Sequence, residues 1–139
     1  MASVITTKNG YATVVLDSST NDKIISANIY PAATTTKTLH DVATGTDYQV
    51  PADRKLIITS FTYCFAGNSD AEIRLWNSAA SDSATGTQMI FDIQHKNATG
   101  NLTYTVPFYA EIAANRYVNL NETAGGLVWG SISGVETDA

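Results

Sequence analysis

The segment from Tyr48 to Phe65 constrains the fold of this chain more than any other. Pro51 fixes its own φ and holds Val50 extended, so Tyr48-Gln49-Val50-Pro51 is a short strand that must end there. Ala52-Asp53-Arg54-Lys55 reverses the chain. Leu56-Ile57-Ile58-Thr59-Ser60-Phe61-Thr62-Tyr63-Cys64-Phe65 then reads as one long strand of β-branched and aromatic residues. Strand, turn and long strand describe an antiparallel sandwich, and none of these residues forms a catalytic motif.

The same pattern recurs along the chain. Asn9-Gly10, the dipeptide that best tolerates a type I′ turn, stands between Val4–Thr7 and Tyr11–Leu16 and predicts a hairpin. Lys23–Tyr30 is a further strand, stopped by Pro31. From Lys37 eight strands are expected: Lys37–Val42, Thr46–Val50, Lys55–Phe65, Ala71–Trp76, Thr87–Ile93, Leu102–Tyr109, Arg116–Asn121 and Leu127–Ser133. One helical turn fits Glu111–Asn115. The expectation is an all-β chain: a single antiparallel, jelly-roll-like sandwich over residues 37–139, with residues 1–36 as an N-terminal hairpin or arm. At 139 residues the chain suits one core and not two.

Period-two alternation assigns the faces. Leu56, Ile58, Ile73, Leu75, Phe91, Tyr104, Val106, Phe108, Val118 and Leu120 are the expected core. The long strand breaks the rule, because Leu56 and Ile58 fall on one side and Ile57, Phe61, Tyr63 and Phe65 on the other. Its second face needs a cover, either the N-terminal segment or a neighbouring subunit. Phe61, Tyr63 and Phe65, with Tyr11 and Val14 of the hairpin, are the candidate interface residues, and a homotrimer is the expected assembly.

Composition excludes several functions. A net charge of −5 with eight Lys and Arg offers no basic patch, so nucleic acid is not an expected partner. No apolar run reaches a membrane span, and Met1–Ile5 lacks the layout of a secretory signal. Charged residues make up 15% of the chain against a typical value of about 25%, and Thr, Ser and Asn keep its surface polar instead.

No residues group into a chemical site. His40 and His95 stand far apart, without the local spacing a zinc set requires. Cys64, the one cysteine, alternates with apolar neighbours like a core thiol. Asp17, Asn21 and Asp22, and Asn68, Asp70 and Glu72, put oxygen atoms on loops but match no calcium loop, so they read as solvated turns. Trp76, Trp129, Tyr109 and Tyr117 are candidates for an aromatic sugar platform, with packing as the plainer role. No catalytic, metal or cofactor residue is expected, and the chain is not read as an enzyme.

Tyr48-Gln49-Val50-Pro51-Ala52-Asp53-Arg54-Lys55-Leu56-Ile57-Ile58-Thr59-Ser60 resembles the Tyr-x-Val-Pro-Ala-Gly-Lys opening and alternating strand of small β-sandwich virion proteins of tailed bacteriophages. These include capsid decoration or cement proteins and fibre or collar components. Asp53 departs from the pattern, replacing its turn glycine. The resemblance implies a structural protein on the capsid surface, made in the host cytoplasm. Its implied partners are its own subunits and the major capsid protein or other virion proteins. A tail-fibre or receptor-binding module that takes carbohydrate is the alternative.

Overall fold

The computed structural model describes residues 4–8, 11–15, 22–29, 35–67, 70–83, 88–96, 100–123 and 127–139. Among them there are strands and turns and no helix. β1 (Val4–Lys8) and β2 (Tyr11–Val15) form the expected hairpin, paired from Val4 with Val15 to Lys8 with Tyr11. Its Asn9-Gly10 turn lies outside the described residues, as do residues 30–34 of the expected arm. β3 (Lys23–Ile29), β4 (Thr36–Thr38), β5 (His40–Asp41), β6 (Arg54–Gly67), β7 (Ala71–Ser78), β8 (Gln88–His95), β9 (Gly100–Ile112), β10 (Tyr117–Glu122) and β11 (Leu127–Asp138) follow. They build a four-stranded sheet, β4-β10-β7-β8, and a five-stranded sheet, β5-β3-β11-β6-β9.

Apart from the two-residue β5, these strands pair from the ends of the chain inward. β3 pairs with β11, β4 with β10, β6 with β9 and β7 with β8, all antiparallel. One long antiparallel ribbon has thus been rolled so that its pairs fall alternately in the two sheets, which is the eight-stranded jelly roll. The division expected at residue 36 does not separate these elements. β3 is the first strand of the roll, with Ile25 and Ala27 in the core, because only a strand at that place satisfies the second edge of β11. Thr46–Val50 is reduced to isolated bridges at Asp47 and Gln49, with Tyr48 and Val50 buried. The helical turn expected at Glu111–Asn115 is absent. β9 runs to Ile112, and Asn115, at φ 62°, donates its N–H to the Val50 carbonyl at 2.8 Å.

The long strand has one core face, and a β-bulge explains why. Gly134 lies opposite Ile58 and Ser133 opposite Ser60, so Thr59 is an extra residue on β6. An inserted residue reverses the alternation beyond it. Leu56 and Ile58 before the bulge, and Phe61, Tyr63 and Phe65 after it, therefore enter the same core, none more than 1% exposed. Thr59 Oγ1 fastens the bulge by donating to the Ser133 carbonyl at 3.1 Å. Pro107 faces Ser60 where the β9 register also shifts, on an edge strand that tolerates its missing N–H. The reading of Phe61, Tyr63 and Phe65 as interface residues is corrected accordingly: their own opposite sheet covers them. Ile57 stays on the other face of β6 beside Val135, and both are buried apart from the main core.

Two polar clusters lock the sandwich. Arg54, buried at the start of β6, lies 3.6 Å from Glu136, 3.5 Å from Asp22 and against Asp138, and donates to the Glu136 carbonyl at 3.1 Å. Tyr48 donates its hydroxyl to Glu136 at 3.0 Å. Burial, and after it the Glu136 carboxylate, push the Tyr48 phenol far up. Asn119, wholly buried on the outer face of β10, accepts from Thr38 Oγ1 at 2.8 Å and donates to the Ala80 and Ser83 carbonyls at 3.0 and 2.7 Å. Asp82 completes the anchor, accepting from the Thr38 N–H at 2.8 Å and from Lys37 at 3.1 Å. The Thr38 N–H, and to a smaller extent Lys37, hold the Asp82 carboxyl below its usual range. Residues 80–83 thereby cover part of the four-stranded sheet.

Candidate interaction surface

The sandwich is closed on one side and open on the other. On the closed side the chain crosses between sheets from β4 to β5 through Leu39, which is wholly buried. On the open side two edge strands, β8 and β9, lie side by side, each with one backbone edge unpaired among the described strands. Among the described residues, the seven half-buried apolar residues packed against the core are here: Ile90, Phe91 and Ile93 on β8, and Leu102, Val106, Phe108 and Ala110 on β9. Tyr104 adds a ring that is 42% exposed, while Met89, opposite Trp76, and Tyr109, between Phe108 and Ala110, are 46% and 60% exposed on the outward faces of the same two edge strands. The core therefore reaches the surface along this seam.

An aromatic cluster fills the seam. Phe91 meets Phe61 edge-on at 5.2 Å and Phe108 at 5.4 Å, and Tyr63 lies 5.5 Å from Tyr104. His95 stacks on Tyr104 at 4.9 Å, with its Nε2 2.7 Å from the Tyr63 hydroxyl. The buried Tyr63 needs such a partner for its O–H. Burial, with Tyr104 a lesser cause, pushes its phenol up to about 12, so it stays neutral at ordinary pH. His95, which in the sequence stood out only as a histidine without the spacing of a zinc set, is the polar end of this cluster. Its place was not legible, because the partner lies on another sheet. A second bulge shapes β8: Leu75 faces Phe91 and Trp76 faces Met89, leaving Ile90 as the extra residue. The run Met89-Ile90-Phe91 was the sequence trace of that bulge. Of the expected core, Tyr104 belongs to this surface, while Phe91, Val106 and Phe108 are half-buried beside it.

The other candidate residues are dispersed. Tyr11 and Val14 lie on β2, which pairs only with β1 among the described strands; their side chains are outside the described residues. Trp76 and Trp129 point out of opposite sheets, on the evidence of their partners Asn119 and Cys64, and so form no common platform. Asp17, Asn21 and Asn68 lie outside the described residues, and the other loop carboxylates, Asp22, Asp70 and Glu72, are engaged with protein groups. Asp70 pairs with Lys96 at 3.0 Å, and hydrogen bonds from Gln94, Thr123 and Arg74 hold Glu72 below the usual carboxylate range. His40 pairs with Asp47 at 3.1 Å. Among the described residues no three His, Cys, Asp or Glu side chains converge as metal ligands. No helix there is long and apolar enough to cross a membrane.

The fold and surface together define the chain as a jelly-roll β-sandwich with one open apolar edge. No protein-family model matches it, and no curated protein is similar to it in sequence.

Proposed function

We propose that this protein is a structural component of a tailed-bacteriophage virion, a capsid decoration or cement protein that assembles as a homotrimer and acts by protein–protein contact. The observation that supports this reading most is the β8–β9 seam, an apolar flank left open on a sandwich whose other side is closed by its own chain. Such a flank suits burial against other subunits. The phage-like pattern of Tyr48–Ser60 supplies the virion setting. Its Val50, Leu56 and Ile58 lie in the core of the roll, so the resemblance concerns the module and the seam concerns the role.

One observation favours a second reading, a fibre or receptor-binding module that takes carbohydrate. Tyr104, stacked on His95, and Tyr109 both present ring surface to solvent from β9. Exposed rings of this kind stack on sugar faces. Mass spectrometry of purified particles, with copy number measured against the major capsid protein, separates the two. Decoration predicts copies in proportion to the capsid protein, and a receptor-binding tip predicts a few per particle. Absence from particles would overturn both readings.

A further inference from the structure

We propose that the β8–β9 seam receives the N-terminal hairpin, β1–β2, of a second copy of this chain; the inference rests on the reading that the protein works by contact. Among the described strands the hairpin is a two-stranded sheet that shares no ladder with either sheet of the roll. Two five-residue strands are marginal in water by themselves and gain stability by extending a larger sheet. The roll has four edge strands, of which β4 and β5 are only three and two residues long; β8 and β9 are the long edges, and among the described strands the hairpin of the same chain pairs with none of them. From Leu102 to Ala110, β9 carries no charged residue, and an uncharged, apolar edge is a template for a further strand. Main-chain hydrogen bonds supply affinity in such an addition, and the half-buried side chains beside the edge give it a fixed place.

Charge and size both favour this occupant. A chain of net −5 repels its copy over most of its surface. Asp92 on β8 lies 3.8 Å from Arg74 and Glu111 on β9 lies 3.2 Å from Lys55, so a copy approaches there without burying an unpaired carboxylate. The seam is eight residues long, roughly 26 Å, and about 20 Å wide if the sheets are some 10 Å apart. Its roughly 500 Å² falls short of the roughly 800 Å² per partner that a stable interface buries. Edge contact alone is too small, and the two hairpin strands supply the remainder. Hairpin and seam are different surfaces, so the contact is heterologous, the kind that forms a ring such as a trimer when its rotation closes.

Light scattering on full-length chains at micromolar concentration tests this. Tyr104→Lys and Met89→Lys place a charge on exposed positions of the two edge strands, Val14→Lys places one on the hairpin, and Val42→Lys is a control at an exposed turn away from the seam. The unmodified chain and Val42→Lys should be oligomeric. Each of the other three should fall to the mass of one 14.8 kDa chain with an unchanged circular dichroism spectrum. Mixing Tyr104→Lys with Val14→Lys should restore a dimer, because one retains the hairpin and the other the seam. A monomeric unmodified chain, an oligomer that survives Tyr104→Lys and Met89→Lys, or a mixture that stays monomeric overturns the proposal. A monomer still found on particles would end this inference and leave the proposed function standing; an oligomer absent from particles would do the reverse.

Discussion

Tyr63 shows how one residue joins core and surface. Its ring is 1% exposed within the aromatic cluster, while its hydroxyl reaches His95 at the seam. Folded, the phenol titrates near 12, and unfolded near its ordinary value of 10. Between these values the folded state keeps a proton that the unfolded state has lost, so stability falls as pH rises. Below about pH 10 this contribution is fully present; by about pH 12 it is gone, a loss on the order of 2 kcal/mol. Tyr48, raised for the same reason and by Glu136, extends the loss to higher pH. Urea midpoints measured from pH 9 to 12 should decline, and Tyr63→Phe should decline less steeply. An equal slope in the variant would show that Tyr63 does not titrate between folded and unfolded states as argued.

At the level of elements, the bulge in β6 depends on its neighbour β11. A Cβ built on Gly134 would lie 2.5 Å from the Ile57 carbonyl oxygen and 3.0 Å from Leu56, beside the bulge. The oxygen is backbone within a paired strand and cannot swing aside, so any side chain here pushes β11 off β6. Gly134→Ala should cost about 1–3 kcal/mol, the usual range for overpacking, read from the urea midpoint. Gly130 is more lenient, since a Cβ there meets Leu120 Cδ2 at 2.7 Å, the end of a side chain that has other rotamers. Gly130→Ala should therefore cost less than Gly134→Ala, and the reverse order would refute this account of the bulge.

For the whole molecule, the jelly roll makes distant parts of the chain adjacent. Its first strand pairs with its last, so residues 23–29 are as necessary as residues 127–138. A chain starting at residue 37 lacks β3 and the first residue of β4, and should show no cooperative urea transition. A chain starting at residue 22 retains all eight strands of the roll and should unfold cooperatively, with a circular dichroism spectrum of β type. A folded product from residue 37 onward would mean that β3 is dispensable and that the arm drawn from the sequence is a real unit.

The sequence by itself determined the class and most of the strands. Alternation and turn residues are local signals, so the Asn9-Gly10 hairpin, the long strand after Pro51 and the inward faces of Leu56, Ile73, Leu75, Val118 and Leu120 were all legible. The apolar residues on both sides of the long strand were legible too, but not their meaning. Two faces and one bulged face leave the same trace until a partner strand shows which residue is unpaired. Only the tertiary structure decided that Thr59 is that residue, that β3 closes on β11, and that Tyr104 and His95 meet Tyr63 at an open edge. Each of these is a pairing between residues far apart in the chain, and a local pattern holds no information about which distant strand will satisfy a backbone edge.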